Sequence, residues 1–211
     1  MQQLTKATLP IFIDQLSEED PAIKRIVGKI GYPPFWQRQP GFQTLVKIIL
    51  EQQVSLASAR AAYDKLEDSV RIVTPDAILQ LTDEKLRACY FSRQKTVYVK
   101  DLSRRLVEGK LELEKFPSCG DDEIREQLIQ VKGIGHWTID VYLLLALHRL
   151  NIFPIGDLAL IKSMQENRLV RSSSRKETIL KRASRWQPLR SAAVFLLWHA
   201  YLTKRGTTIV L

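Results

Sequence analysis

The sequence predicts an all-α protein, and three observations carry the prediction. Apolar residues recur at three-and-four spacing and hardly ever alternate. Helix starts are marked repeatedly by Ser, Thr or Asp, twice with a proline directly behind. The one alternating stretch, LELEKF near Leu111, is weak and reads as a loop. At 211 residues and 45% hydrophobic content the chain can bury a sizeable core as one domain or two small lobes.

Asp20-Pro21 opens a short helix that Gly31 stops, with Asp as N-cap and Pro in the first turn. Tyr32-Pro33-Pro34-Phe35-Trp36 follows as a proline-stiffened aromatic loop, a core plug that could also line a pocket. Phe42 to Gln52 carries Phe42, Leu45, Val46, Ile49 and Leu50 on one helical face. Ser55 caps the alanine-rich LASARAAYDKLED, whose small side chains permit close packing. Thr74-Pro75 opens the next helix, and Thr82 caps TDEKLRACY. Ser92 caps a long helix running to Gly109, with Val99, Leu102 and Leu106 inward and Lys95, Lys100, Arg104 and Arg105 solvated. Asp121 caps DDEIREQLIQV. Beyond Asp157 come LALIKSMQE, a Ser174–Glu177 capping box opening TILKRASRW, a break at Pro188, and LRSAAVFLLWHAYLTKR, which ends at Gly206. The sum is about ten short helices joined by tight turns.

Leu128 to Asp157 is the stretch that points to function. Gly133-Ile134-Gly135 separates two apolar helical patterns by a turn too short for an ordinary loop, and glycine lets the backbone approach a neighbour closely. Such a turn opening a helix directs N–H groups outward at the positive helix end, where a phosphate fits. A lone carboxylate, Asp157, follows in Pro-Ile-Gly-Asp. Two adjacent amides, Gln52 and Gln53, stand at a helix junction, either as surface polarity or as side chains able to fill a gap in a base stack.

Charge placement agrees with a polyanion partner. Of the net +9, residues 158 to 211 supply all, with eleven Lys and Arg against Glu166 and Glu177. No long amphipathic stripe or lipidation signal accompanies them, which favours nucleic acid over a membrane; a solvated basic helix face is the plain alternative. Cys89 and Cys119 lie thirty residues apart with no CxxC, so neither a zinc site nor an iron–sulfur cluster is expected. The N-terminus MQQLTKATLP has no basic n-region or apolar h-region, and no run approaches eighteen apolar residues, so neither a signal peptide nor a membrane span is expected. A reducing cytoplasm is the expected location.

Val131-Lys-Gly-Ile-Gly-His-Trp-Thr138 followed by Asp157 resembles the helix-hairpin-helix DNA glycosylase superfamily. Gln52-Gln53-Val54-Ser55 and Trp186-Gln-Pro-Leu-Arg-Ser191, leading to Leu197-Trp198, narrow the resemblance to the 3-methyladenine DNA glycosylase II branch. The likeness runs from about Phe42 to Tyr201. It implies two helical lobes with a DNA-binding cleft and a helix-hairpin-helix motif. The N- and C-terminal segments would form one lobe, and the central helices, about residues 45–140, the other. Longer members carry an N-terminal β-domain, for which this chain begins too close to its first core helix.

The resemblance also assigns residues. Asp157 matches the catalytic aspartate; Gly133, Gly135 and His136 would meet a DNA phosphate; Gln53 would be the wedge replacing a flipped nucleotide. Trp137, Trp198 and Tyr142 would serve the base pocket, although Val141 stands where one branch has its pocket tyrosine and Tyr142 is the next residue. Nothing pairs His136, His148 or His199 with a nucleophile. Bifunctional relatives carry a Schiff-base lysine where this chain has Trp137, which implies base removal without strand cleavage. The expected activity is release of alkylated purines from double-stranded DNA by a monomer without cofactor. The alternatives are a non-catalytic DNA-damage-binding module and a glycosylase for oxidised or mismatched bases.

Overall fold

The computed structural model describes residues 4–207. Among them are twelve α-helices and one 3-10 helix, with no strand. The chain divides into two compact units, one formed by the segments up to Arg38 and from Leu143 onward, the other by Gln39–Tyr142. No helix among the described residues is long and apolar enough to cross a membrane.

In the first unit, α1 (Thr8–Glu19) and α2 (Pro21–Ile30) pack on each other and on α12 (Arg190–Lys204), which also packs on α10 (Leu158–Glu166). The run from Ala192 to Leu197 on α12 is fully buried, so this helix forms the axis of the unit. Helix α11 (Lys176–Ser184) buries Ile179 and Ala183. The aromatic loop contributes Trp36, buried against Phe195 with ring centroids 5.6 Å apart, as a core plug should be.

The second unit is built on α3 (Phe42–Glu51), which packs against α4 (Leu56–Val70) and α7 (Arg93–Val107). The short helices α5 (Pro75–Gln80) and α6 (Asp83–Ala88) lie against α7. A 3-10 helix at Leu113–Ser118, α8 (Asp121–Leu128) and most of α9 (His136–Leu145) complete it. The LELEKF stretch thus forms a tight helical turn that buries Leu113 and Phe116.

Side-chain caps fix most helix starts where the sequence places them. Ser55, Thr74, Thr82 and Ser92 each accept the N–H three residues on. Four expectations need correction. The sequence pattern under-calls helix α1, although Leu9, Phe12, Ile13 and Leu16 have the required spacing; Pro10 stands in its first turn, where a missing N–H costs nothing. Gly120, and not Asp121, is the cap of α8, with Asp121 inside the first turn. The Ser174–Glu177 box does not form: Arg175 is the cap of α11, and Ser174 Oγ instead accepts the Arg171 N–H at 3.0 Å. The cations of α7 are not all solvated. Lys95 Nζ donates to the Leu50 carbonyl at 2.6 Å, Lys100 pairs with Asp83 at 2.5 Å, and Arg105 donates to Asp101 at 3.0 Å.

Asp20 joins the ends of the first unit's chain. Its carboxylate caps α2 through the Ala22 N–H at 3.1 Å, accepts Trp186 Nε1–H at 2.8 Å and pairs with Arg182, whose guanidinium lies over the Trp186 ring. Burial pushes its carboxyl up, but the bonds from Trp186, Arg182 and Ala22 outweigh this and hold it below the ordinary 3.8. A carboxyl lowered in the folded state contributes stability that is full above the unfolded value and is lost as the pH falls through the folded one. Asp20→Asn should therefore cost on the order of 3 kcal/mol near neutrality, because it strands a buried guanidinium. The melting temperatures of the two proteins should draw together as the pH falls below 3.8 and meet only beneath the lowered value of the folded-state carboxyl; a gap that stays constant with pH would contradict this role.

Candidate active site and glycine hairpin

The hairpin lies within the second unit. Helix α8 ends in two turn bonds, Val131 N–H to the Leu128 carbonyl and Ile134 N–H to the Val131 carbonyl, both at 3.1 Å. Helix α9 then starts at His136, with the Gly135 carbonyl accepting the Ile139 N–H. Arg125 on α8 and Asp140 on α9 meet at 2.6 Å and hold the two arms together. Nearly all of α9 is buried; His136 and Trp137 in its first turn keep exposed surface. The helix end is thus presented outward while the remainder is gripped by the core.

The two glycines serve different ends. Gly133 has φ +78°, and a Cβ placed on it would lie 2.1 Å from the Tyr98 ring, so only a bare Cα allows the turn to lie on that aromatic face. Gly135 has an ordinary φ, and a Cβ there would meet nothing within 4 Å. Its absence leaves the mouth of α9 unobstructed.

Two further residues brace the turn. Gln52 Nε2 donates to the Gly133 carbonyl at 2.9 Å and to Thr138 Oγ1 at 3.0 Å. Asp101 Oδ2 accepts the Lys132 N–H at 3.0 Å. Burial raises the Asp101 carboxyl, yet the Lys132 N–H and Arg105 together hold it below its ordinary value. Tyr98 and Asp101 stand three apart on α7, hence on one helix face, a relation to the hairpin that distance along the chain conceals.

The adjacent amides are separated by this arrangement. Gln52 looks back to the hairpin, whereas Gln53 takes φ +58°, the left-handed conformation that costs most residues energy, and is exposed. Tyr142 has no exposed surface: it meets Phe116 edge-on, its hydroxyl oxygen accepts the Gly41 N–H at 2.9 Å, and burial pushes its pKa up to about 12. Its place is the interior of the second unit, with no face left to line a base.

Asp157 lies in the first unit as the N-cap of α10. Its own N–H closes a turn on the Pro154 carbonyl at 2.9 Å. Its Oδ1 accepts the Leu160 N–H at 2.7 Å and also Trp198 Nε1–H at 3.1 Å. The Trp198 ring is held in turn by Phe195, 6.3 Å away, and edge-on by Trp36 at 6.5 Å. The segment leading to Asp157 is anchored by the Arg190-Ser191 pair. Ser191 Oγ donates to the Arg149 carbonyl at 2.6 Å and accepts the Ile152 N–H at 3.0 Å, while Arg190 donates to Asn151 at 2.7 Å. Sequence reading finds Asp157 and Trp198 but not Trp36, whose only signal is a proline-rich aromatic loop. Among the described residues no group of three or more His, Cys, Asp or Glu could hold a metal ion.

An all-helical scaffold with a glycine hairpin and an N-capping aspartate after it defines a class, and comparison with known proteins places the chain within it. Residues 46–188 match the HhH-GPD superfamily of base excision DNA repair proteins, and the chain belongs to that family. A Bacillus subtilis protein provisionally named a DNA-3-methyladenine glycosylase is 30% identical, over 75% of this chain and 58% of its own length. DNA-3-methyladenine glycosylase 1 of Schizosaccharomyces pombe is 28% identical, over 92% of this chain and 86% of its own. The solved structure of a 3-methyladenine DNA glycosylase from S. pombe in complex with abasic DNA superposes with a TM-score of 0.80 at 27% identity, covering 89% of this chain and 94% of that one.

Gly133→Ala should be the most damaging single change in the hairpin, since it imposes both a positive φ and a collision with Tyr98. Thermal unfolding should register a loss of several kcal/mol, about 3 or more. Gln52→Ala should cost about 1 to 3 kcal/mol by removing two hydrogen bonds, and Gly135→Ala less than either. The reverse order would show that the turn is not held as described.

Proposed function

We infer that this chain is a monofunctional DNA glycosylase of base excision repair, which extrudes alkylated purines such as 3-methyladenine from duplex DNA and hydrolyses the N-glycosidic bond. The observation that carries the inference is Asp157, with one carboxylate oxygen fixed between a helix end and the Trp198 indole. Breaking the sugar–base bond builds positive charge on the sugar, and a pre-positioned anion favours that state over the neutral ground state. The same carboxylate can orient the water that completes the hydrolysis. A methylated adenine already carries positive charge and departs with the bonding electrons as a neutral base. No separate acid is then needed.

Trp137 and Trp198 are each half-buried and retain surface on which a base can stack. Stacking a cationic base on indole gains roughly 0.5 to 2 kcal/mol over a neutral one. Since extrusion itself costs a few kcal/mol and is cheapest at weakened pairs, part of the selectivity lies in flipping. The exposed first turn of α9, with Gly133, Gly135 and His136, is assigned to a backbone phosphate, and the left-handed Gln53 to the gap in the stack. One hairpin and one aspartate on a single chain suffice for the reaction as a monomer, and a cytoplasmic, nucleoid location follows from a duplex DNA substrate.

The test is base release by the wild-type protein from methylated duplex DNA, beside duplexes carrying single oxidised or mismatched bases. Free 3-methyladenine and an unbroken abasic strand are expected, with no covalent complex on borohydride treatment. Binding without release would make the protein a damage-binding module. Release confined to oxidised or mismatched bases would change the substrate class, and a borohydride-trapped complex would contradict the monofunctional reading of Trp137.

A further inference from the structure

We propose that the concavity at the C-terminal end of α10 is a second phosphate-binding surface, one that grips the DNA backbone away from the hairpin. The inference rests on the glycosylase reading for the identity of its ligand. The concavity is open, with a volume of about 810 Å³, and its lining includes Lys162, Arg168, Arg171, Ser172 and Ser173.

The basic C-terminal region is unevenly committed. Arg182 is spent on Asp20, Arg190 on Asn151, and Lys204 and Arg205 on Glu166. Lys162, Arg168 and Arg171 are exposed, and among the described residues none of the three has an ion-pair partner. Glu166, the acidic group in the lining, is already neutralised by Lys204 at 3.5 Å and Arg205 at 3.0 Å. What remains is three cations and two hydroxyls on a concave face, the donor set for phosphate oxygens.

Arg168 is placed by the end of the helix. Helix α10 closes with the Arg168 N–H on the Gln165 carbonyl and the Leu169 N–H on the Met164 carbonyl, the double bond pattern in which the residue after the cap is left-handed and usually glycine. Arginine occupies that position at φ +60°. A long cation is thus held at a position that glycine usually takes, as Arg71 is at φ +62° after α4, and its guanidinium stands beside those of the concavity.

The surface is also at a useful distance. Helix α10 has nine residues, so it carries the chain roughly 13 Å from Asp157. That is about four base steps along B-DNA at 3.4 Å per phosphate. A duplex engaged at Asp157 has backbone within reach of the concavity.

The experiment compares wild type with Arg168→Gly and with the triple variant Lys162→Ala/Arg168→Gly/Arg171→Ala. Binding to a duplex with one tetrahydrofuran abasic site is followed by anisotropy across a salt series. Each phosphate that is no longer neutralised should lower the slope of log K against log salt by about 0.9, so the triple variant should fall by about 2 to 3. Arg168→Gly should show a fall of about 0.9, the value for one phosphate. Its melting temperature should stay within about two degrees of wild type or rise, because glycine relieves the left-handed position. An unchanged slope in the triple variant overturns the proposal. If the wild type itself neither binds this duplex nor releases methylated bases, the glycosylase reading fails first, a result distinct from an unchanged slope.

Discussion

The candidate site in the first unit depends on one atom, Asp157 Oδ1, which accepts both the Leu160 N–H and the Trp198 indole N–H. A carboxylate at the end of a loop would otherwise rotate among several positions. Two donors from different elements confine it, and hydrogen bonds to a charged group are each worth about 1.5 to 3 kcal/mol. To present the indole, α12 must sit at a fixed depth against α10, which its fully buried stretch from Ala192 to Leu197 ensures. To present the carboxylate, the approach segment must be tied down, which Ser191 and Arg190 do from the first turn of the same helix. Both ends of the site are thus referred to α12.

The hairpin obeys a comparable constraint in the second unit. A two-glycine turn has little surface of its own with which to hold a shape. Its rigidity comes from outside, through the Tyr98 face under Gly133, the Gln52 amide on the Gly133 carbonyl and the Asp101 carboxylate on the Lys132 N–H. With these bonds in place, the mouth of α9 is pre-organised before any ligand arrives.

What could be read from the sequence follows from the range of the interactions involved. Caps act over three residues and apolar faces over four, so Ser55, Thr82, Ser92 and the inward face of α3 were visible without a structure. The capping box at Ser174 failed because a competing local bond to Arg171 was equally available, and pattern alone does not choose between them. Asp157 and Gly133 were legible as motif residues. Their supports were not. Trp36, Tyr98 and Gln52 act through contacts that join residues far apart in the chain, and nothing local distinguishes Gln52 from Gln53. Tyr142 shows the opposite error, since an aromatic beside a motif was expected in the pocket and belongs to the interior, its hydroxyl engaged by Gly41.

Asp157 is a structural cap and, in the proposed function, also the catalytic anion, and Asp157→Asn separates the two. Asparagine caps helices as well as aspartate and can still accept from Leu160 and Trp198, so the melting temperature should hold. The charge, however, is gone. Single-turnover release of 3-methyladenine from methylated duplex DNA should fall by roughly a hundredfold or more. Release within a few-fold of wild type, from a protein equally stable, would contradict the central claim that the carboxylate at this position drives the reaction.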